Sequence, residues 1–480
     1  MNRRMIIYTV GKLLVALAAI ILLPTAVSLI YRETCTFAFL ITAIISAALG
    51  FLFIFFFKPS SHVIYAREGF AIVALVWLFM SIVGSFPFMI SGEIPSFFDA
   101  WFETVSGFTT TGASILRDVE SMSHGLLFWR SFTHWIGGMG VLVFVMALIP
   151  NVSDRSIHIM RAEVPGPIVG KIVPRVKETA KILYIIYIVL TVVQIILLCI
   201  GGMSLFESAI HTFGTAGTGG FGINADSIAS YSPYLQWVIA IFMLVFGINF
   251  NIYYMILIRR FSLAFKSNEL WCYLGIVVVA VIAICLNTYT LYENFSELLR
   301  HTVFQVSSII TTTGFSTTDF NLWPGFSKTV LLILMVFGGC AGSTAGGIKI
   351  SRVVLMFKIV CREIKRLVHP RSISKVRFEG RGVDESTLNS VTTYLTVYVA
   401  VLISCFLIIS IEPFGIESNL SAVMACFNNV GPGFGAVGPM SCYADYSDFS
   451  KVILSMAMLL GRLEIYPLLI IFIPSFWKKD

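Results

Sequence analysis

Four short runs of glycine and threonine recur along the 480-residue chain. They are Thr109-Thr110-Thr111-Gly112-Ala113-Ser114, Gly217-Thr218-Gly219-Gly220-Phe221-Gly222, Thr311-Thr312-Thr313-Gly314-Phe315-Ser316 and Val430-Gly431-Pro432-Gly433-Phe434-Gly435. They offer oxygen without charge, from backbone carbonyls and threonine hydroxyls. Glycine admits φ > 0, which lets successive carbonyls turn inward. A ring of such oxygens can replace the water shell of a cation. No Asp or Glu lies in the runs, which favours a monovalent ion over a divalent one. One run alone reads as an ordinary glycine turn, but four in register do not. The candidate ligands are Thr110, Thr111 and Gly112; Thr218, Gly219 and Gly220; Thr312, Thr313 and Gly314; and Gly431, Pro432 and Gly433. Gly112, Gly220, Gly314 and Gly433 are taken as equivalent. Pro432 keeps its carbonyl but fixes its φ, so the fourth wall departs from the others.

Each run needs an element to aim it. An apolar stretch too short to cross a bilayer precedes each one, at 96–108, 204–216, 295–310 and 419–429. Ser96-x-x-Asp99 and Ser204-x-x-Glu207 read as capping boxes opening the first two half-helices. Asn294-x-x-Glu297 serves the third, and Ser418 is the expected cap of the fourth. A half-helix ending at the run directs its negative dipole end there, which suits a cation. Irregular backbone survives at membrane depth only inside protein or against water. Four such loops therefore meet most economically around one axis. The repeating unit is span, half-helix, Gly/Thr loop, span. The expected organisation is two N-terminal spans over 1–60, then pore repeats at 61–150, 151–260, 261–370 and 371–480.

Composition agrees with a lipid solvent. Hydrophobic types make up 57% and charged types 12%, with a mean hydropathy of +0.88. A soluble chain of this length would carry about twice that charge. The fold class is an all-α polytopic membrane protein. Spans are expected near 6–30, 36–57, 68–91, 125–149, 180–202, 234–258, 269–290, 327–368, 386–412 and 450–475. Most of the 33 basic residues then fall on the side of the termini, including Arg3, Arg4, Arg259, Arg260, Arg362 and Lys365. The positive-inside rule makes both termini cytoplasmic, in a cytoplasmic (inner) membrane. The first run, about Ile6 to Ile30, is too long for a signal segment and reads as a retained span.

The net charge of +7 lies between apolar runs and not on one face, so no nucleic-acid partner is expected. Nine scattered cysteines without a CxxC pair read as buried apolar residues. Gly433-Phe434-Gly435-Ala436-Val437-Gly438 fits G-x-G-x-x-G but follows a short helix, not a strand. Gly342 to Lys349 imitates a P-loop, yet Ile348 stands where lysine is required. HExxH, GxSxG and paired acidic sites are absent from the chain, so an enzyme is not expected.

The run from Ser327 to Leu367 would be roughly 60 Å long as one helix, twice the hydrocarbon thickness. Gly338-Gly339-Cys340-Ala341-Gly342-Ser343-Thr344-Ala345-Gly346-Gly347 lies inside it and should break it. Gly338, Gly339, Gly342, Ser343, Thr344, Gly346 and Gly347 read as a flexible intramembrane gate, with a passive kink as the alternative. Arg462 sits in the middle of the last span, where a charge costs about 2.5–3.5 kcal/mol. It is expected in the pore, bonded to carbonyls of the 338–347 loop, or else as a clamp between helices. Glu464 should point elsewhere on that helix. Asn249 and Asn251 read as interhelical glue, His134 and His211 as packed residues, and Arg130 as an anchor at the outer interface.

These residues resemble the TrkH/KtrB/HKT superfamily of potassium transporters. The resemblance also rests on Trp129-Arg130-Ser131-Phe132-Thr133-His134-Trp135-Ile136-Gly137-Gly138-Met139-Gly140, Gly247-Ile248-Asn249-Phe250-Asn251 and Gly461-Arg462-Leu463-Glu464. It covers about residues 60–475, and the two extra N-terminal spans are similar to the TrkH branch. It implies K+ as the transported ion, without an organic cofactor. In the plant relatives a serine in the first filter goes with sodium and a glycine with potassium, so Gly112 implies potassium. The resemblance further implies a homodimer with one pore per chain, and a TrkA-like cytoplasmic nucleotide-binding regulatory subunit. It favours the gate reading of the loop. A gated uptake channel is the expectation, with a secondary transporter coupled to sodium or protons as the alternative.

Overall fold

The computed structural model describes residues 2–59, 65–140, 176–370 and 375–478. The inner end of the expected 125–149 span and most of the basic 151–181 loop lie outside the described residues. Helices α1 (Arg3–Ile30) and α2 (Thr36–Phe56) form the N-terminal pair. The first repeat follows as α3 (Ala66–Ser91), α4 (Phe97–Phe108) and α5 (His124–Gly138). The second is α6 (Val176–Ile200), α7 (Leu205–Gly217), α8 (Pro233–Phe246) and α9 (Phe250–Leu257). After the short α10 (Phe261–Ala264), the third runs through α11 (Asn268–Thr288), α12 (Phe295–Ile310), α13 (Gly325–Val336) and α14 (Ile350–Val368). A two-stranded hairpin, β1 (Arg377–Phe378) with β2 (Arg381–Gly382), leads into the fourth. That repeat is α15 (Glu385–Ile409), α16 (Ile416–Phe427), α17 (Asp448–Arg462) and α18 (Tyr466–Ile471).

Six described helices are long and apolar enough to cross a membrane: α1, α2, α3, α6, α11 and α15. The second spans of the second, third and fourth repeats behave differently. α8 and α9 meet at 90° around Gly247 and Asn249. The run at 327–368 is broken as expected, into two helices separated by residues 337–349. The expected span at 450–475 ends at Arg462, because Glu464 and Ile465 take φ of 54° and 70°. Residue order marks only the break inside 327–368, because only that one is rich in glycine over many residues; the breaks at Gly247 and after Arg462 are additional to it.

The four half-helices fall close to their expected bounds, but their caps vary. Ser204 and Glu207 form a complete capping box. Ser96 accepts from the Asp99 N–H, while the Asp99 carboxylate is drawn to Lys451 Nζ at 2.5 Å. Asn294 makes no side-chain cap. Ser418 is not the fourth cap: Gly415 precedes the helix, and the Ser418 hydroxyl accepts from the Ala436 N–H at 3.0 Å.

The N-terminal pair is tied to the first repeat at its outer end. Glu33, in the α1–α2 connection, accepts from the His124 and Gly125 N–H groups at 2.7 and 2.9 Å. It thereby caps α5 from a different part of the chain. Burial opposes the charge, but these two N–H groups and the His124 ring outweigh it, and the carboxyl sits below its ordinary range. Because folding lowers this pKa, the stabilisation is present above about pH 4.5 and fades as pH falls below it. Glu33→Ala should lower stability by about 1 kcal/mol at pH 7, the usual scale of a lost cap. Thermal unfolding in detergent should show the wild-type and variant curves converging as pH falls well below about 4.5. A gap that persisted there would refute the cap.

Candidate ion filter and gate

Each half-helix ends in the same hydrogen-bonded turn. The Thr110 N–H donates to Gly107 O and the Thr111 N–H to Ser106 O. Thr218 and Gly219 repeat this on Thr215 and Gly214, and Thr312 and Thr313 on Ile309 and Ser308. Asn429 and Val430 do so on Cys426 and Ala425. This is the Schellman arrangement, which needs one left-handed residue after the helix. That residue is Thr110, Thr218, Thr312 or Asn429, with φ between 55° and 57°. Two residues later a glycine is again left-handed: Gly112 at 79°, Gly220 at 74°, Gly314 at 88° and Gly431 at 96°.

The fourth register therefore differs from the sequence expectation. Gly431, not Gly433, is the equivalent of Gly112, and the fourth turn is Asn429-Val430-Gly431. Pro432 and Gly433 come after it, and Gly433 packs on Ser421 and Val437. Asn429 stands where the other turns have threonine, and the glycine-rich run continues past Gly431, so residue types alone place the equivalent glycine two positions late. Asparagine tolerates the left-handed region better than most residues, which is the signal that could have corrected it.

The glycines close a circle. A Cβ on Gly112 would collide with Gly219 O, and one on Gly220 with Thr313 O. One on Gly314 would meet Val430 O, and one on Gly431 would meet Thr111 O. Each glycine thus faces the carbonyl of the next repeat's preceding residue, and the fourth returns to the first. Behind the ring, Arg130 Nε donates to Glu103 Oε1 at 2.5 Å, both side chains being buried. Arg130 Nη1 also donates to Gly222 O, and its guanidinium lies 3.8 Å from the Phe221 ring centroid. Glu103 in turn accepts from the Ile115 N–H and the Ser114 hydroxyl. Arg130 braces the first and second loops and is not an outer-interface anchor. His134 Nδ1 lies 2.8 Å from Gly107 O, and His211 Nε2 lies 3.1 Å from the Tyr231 hydroxyl. Both are packed behind the loops. A vestibule of about 550 Å³ opens onto Gly112, Gly220, Gly314 and Gly431.

Beneath the ring lies the 338–347 segment. The Cys340 N–H donates to Gly247 O, and the Phe250 N–H donates to Gly342 O. The segment is thereby fastened to the bend of the second repeat, where the Asn249 side chain caps α9 by accepting from the Asn251 N–H. Three consecutive loop residues are held from three directions. Arg462 Nη1 donates to Thr344 O at 2.9 Å. The buried Lys349 ammonium donates to Ala345 O. The Gly346 N–H donates to Thr312 Oγ1 at 2.6 Å. Gly338, Gly339 and Gly347 form the ends of the segment; Gly338 N–H bonds Ile348 O and Ile350 N–H bonds Gly339 O. Ser343 closes a local turn onto Cys340 O.

Arg462 is at the C-terminal end of a broken helix, and its Nη2 also donates to Gly137 O and Gly138 O at the end of α5. Glu464 receives both terminal nitrogens of Arg352 at 3.0 and 2.5 Å. It turns away from Arg462, by way of the chain reversal and not of a continuing helix. Sequence reasoning did not find Lys349, Arg352 or Glu269. The Glu269 carboxylate accepts from the Ala341 and Ser351 N–H groups, one near each end of the loop. A charged residue beside a glycine-rich break was the available signal. A cavity of about 80 Å³ lies between the segment, Lys349 and Arg462.

The whole-chain comparisons agree with one another. The family model described as TrkH, cation transport protein, matches residues 35–479. The Trk system potassium uptake protein TrkH of Salmonella typhimurium is 36% identical, over 100% of both chains. The Trk system potassium uptake protein TrkG of Escherichia coli is 34% identical over 99% of each. The crystal structure of the potassium transporter TrkH from Vibrio parahaemolyticus superposes with a TM-score of 0.88 at 33% identity, covering 100% of both chains. With its half-helices, glycine ring and broken second spans in place, this chain belongs to the TrkH family of cation transport proteins.

Proposed function

We propose that the chain takes up potassium through a pore whose filter is the ring around Thr111, Gly219, Thr313 and Val430, gated by residues 338–347. The observation that carries the filter is the closed cycle of glycine-on-carbonyl approaches. It sets four neutral backbone loops around one centre, with the C-terminal ends of four half-helices directed there. Neutral oxygens suit a monovalent ion whose dehydration cost is modest. The relatives' names specify potassium.

For the gate, the support is position. The loop lies under the filter, is anchored on the second repeat's bend, and is crossed by the Arg462 guanidinium. A fixed positive charge there opposes cation passage. The acidic groups near the path are each engaged, Glu464 by Arg352 and Glu269 by loop N–H groups, which supports a gated channel over ion coupling. A TrkA-like cytoplasmic subunit and a homodimer go with this reading. On α14, Arg362 is paired with Glu363 and Glu385, and Arg366 with Glu363. An acidic partner docking there would compete with those pairs.

The register separates two glycines cleanly. Gly112→Ser and Gly431→Ser should each lower the K+/Na+ permeability ratio about tenfold or more, a change of about 1.4 kcal/mol. Gly433→Ala should leave the ratio near that of the wild type. Bi-ionic flux in vesicles decides; equal loss at Gly433 would restore the other register. For the gate, Arg462→Ala should raise partner-free Rb+ influx. Normal folding with unchanged influx would remove Arg462 from the barrier.

A further inference from the structure

The filter and the loop beneath it share one hydrogen bond, and it falls on a single repeat. The four left-handed residues at the base of the filter, Thr110, Thr218, Thr312 and Asn429, are equivalent in backbone conformation. Their side chains are not equivalent in partners. The Thr218 hydroxyl donates to its own neighbour, Gly217 O, at 2.6 Å. Asn429 Nδ2 donates to Thr111 Oγ1 of the adjacent first turn at 2.9 Å and to Met458 O at 3.0 Å. Among the described residues Thr312 is the one of these four that bonds the intramembrane loop, accepting from the Gly346 N–H at 2.6 Å. Gly346 fits there because a side chain would strike Asn428 O and the Asn429 Cβ. It is seated between the third and fourth filter turns.

We propose that Thr312 is the residue through which the state of the loop is read by the filter, and the filter's occupancy by the loop. This rests on the gate reading of residues 338–347 given above. Both groups are fully buried, so withdrawing the loop strips the Thr312 hydroxyl of its donor in a place where water does not immediately replace it. That hydroxyl sits on the residue immediately before Thr313, whose carbonyl approaches Gly220 in the ring. A change in its hydrogen bonding therefore acts on the ring without passing through any helix. Linkage makes the effect mutual: if loop position alters ion affinity at the filter, ion binding shifts the loop equilibrium by the same factor. The neighbouring carbonyls of Thr344 and Ala345 are held by Arg462 and Lys349, so of the ties at these three consecutive residues only this one touches the filter.

Thr312→Val keeps the branched shape and the left-handed strain but removes the acceptor, whereas Thr312→Ser keeps the acceptor. The test compares wild type, Thr312→Val, Thr312→Ser, a deletion of Gly342 to Gly346, and the deletion combined with Thr312→Val. Two quantities are read on full-length protein in liposomes: Rb+ influx without partner, and Tl+ affinity from ligand-dependent thermal stabilisation. Thr312→Val should raise influx about fivefold, the scale of one hydrogen bond, and Thr312→Ser, which restores the acceptor, should reverse most of that rise. The deletion should raise influx and shift Tl+ affinity. In the deletion background Thr312→Val should change neither quantity further. Equal effects of Thr312→Val in both backgrounds, or no effect in either, would overturn the coupling while leaving the gate intact. A deletion that folds and does not raise influx would overturn the gate reading itself, and the coupling with it. Where the valine variant does not fold, Thr312→Ala supplies the same comparison.

Discussion

The structure depends on backbone that must stay irregular where no bulk water can satisfy it. An unpaired N–H or C=O at membrane depth costs several kcal/mol. The chain meets this by ending four half-helices in one motif, so that the N–H groups of each turn are consumed by its own helix. Among the described residues the carbonyls of Thr111, Gly219, Thr313 and Val430 are left without such partners, and the four turns bring them together. Each glycine approaches the next repeat so closely that any side chain would strike backbone. The ring is therefore specified by sterics as much as by hydrogen bonding, and no repeat can be altered without its neighbour.

Charge is handled by the same logic. Arg130, Arg352, Lys349 and Arg462 are placed where their donors meet carboxylates or backbone carbonyls. Glu103 and Arg130 are a buried pair whose remaining bonds go to the loops of the first two repeats. Such a pair contributes more to the position of those loops than to net stability, because desolvation offsets much of its attraction. Below the filter, two cations face carbonyls whose segment is also held by the Glu269 carboxylate. Loop, bend and filter are thus joined by polar contacts among largely buried groups, where a bond lost leaves a polar group to be satisfied otherwise.

Much of this was legible in residue order. Span, half-helix and Gly/Thr loop recur in four copies, and Ser204 with Glu207 caps as its spacing implies. The long run after Ser327 is indeed broken by residues 337–349, and Arg462 does reach a carbonyl of that segment. What was not legible depended on tertiary contact. The cap of α5 comes from Glu33, about ninety residues away. Ser418 looked like a cap but serves the loop at Ala436. The breaks at Gly247 and after Arg462 carry too few glycines to stand out, and are set by neighbours such as Cys340, which bonds the carbonyl of Gly247. The fourth filter turn was misread because Asn429 and Val430 share neither residue type with Thr110 and Thr111. Only the backbone conformation identifies them.

The central claim is that one ring of backbone oxygens, drawn from Thr111, Gly219, Thr313 and Val430, holds the ion. Crystallography with Rb+ or Tl+ in place of potassium tests it most directly, because anomalous scattering locates the ion without reference to the protein's fit. The account predicts a peak enclosed by those four residues, on the axis of the glycine ring and above Thr312 and Gly346. A peak at the level of Gly433, or one displaced from the ring toward the vestibule alone, would contradict it.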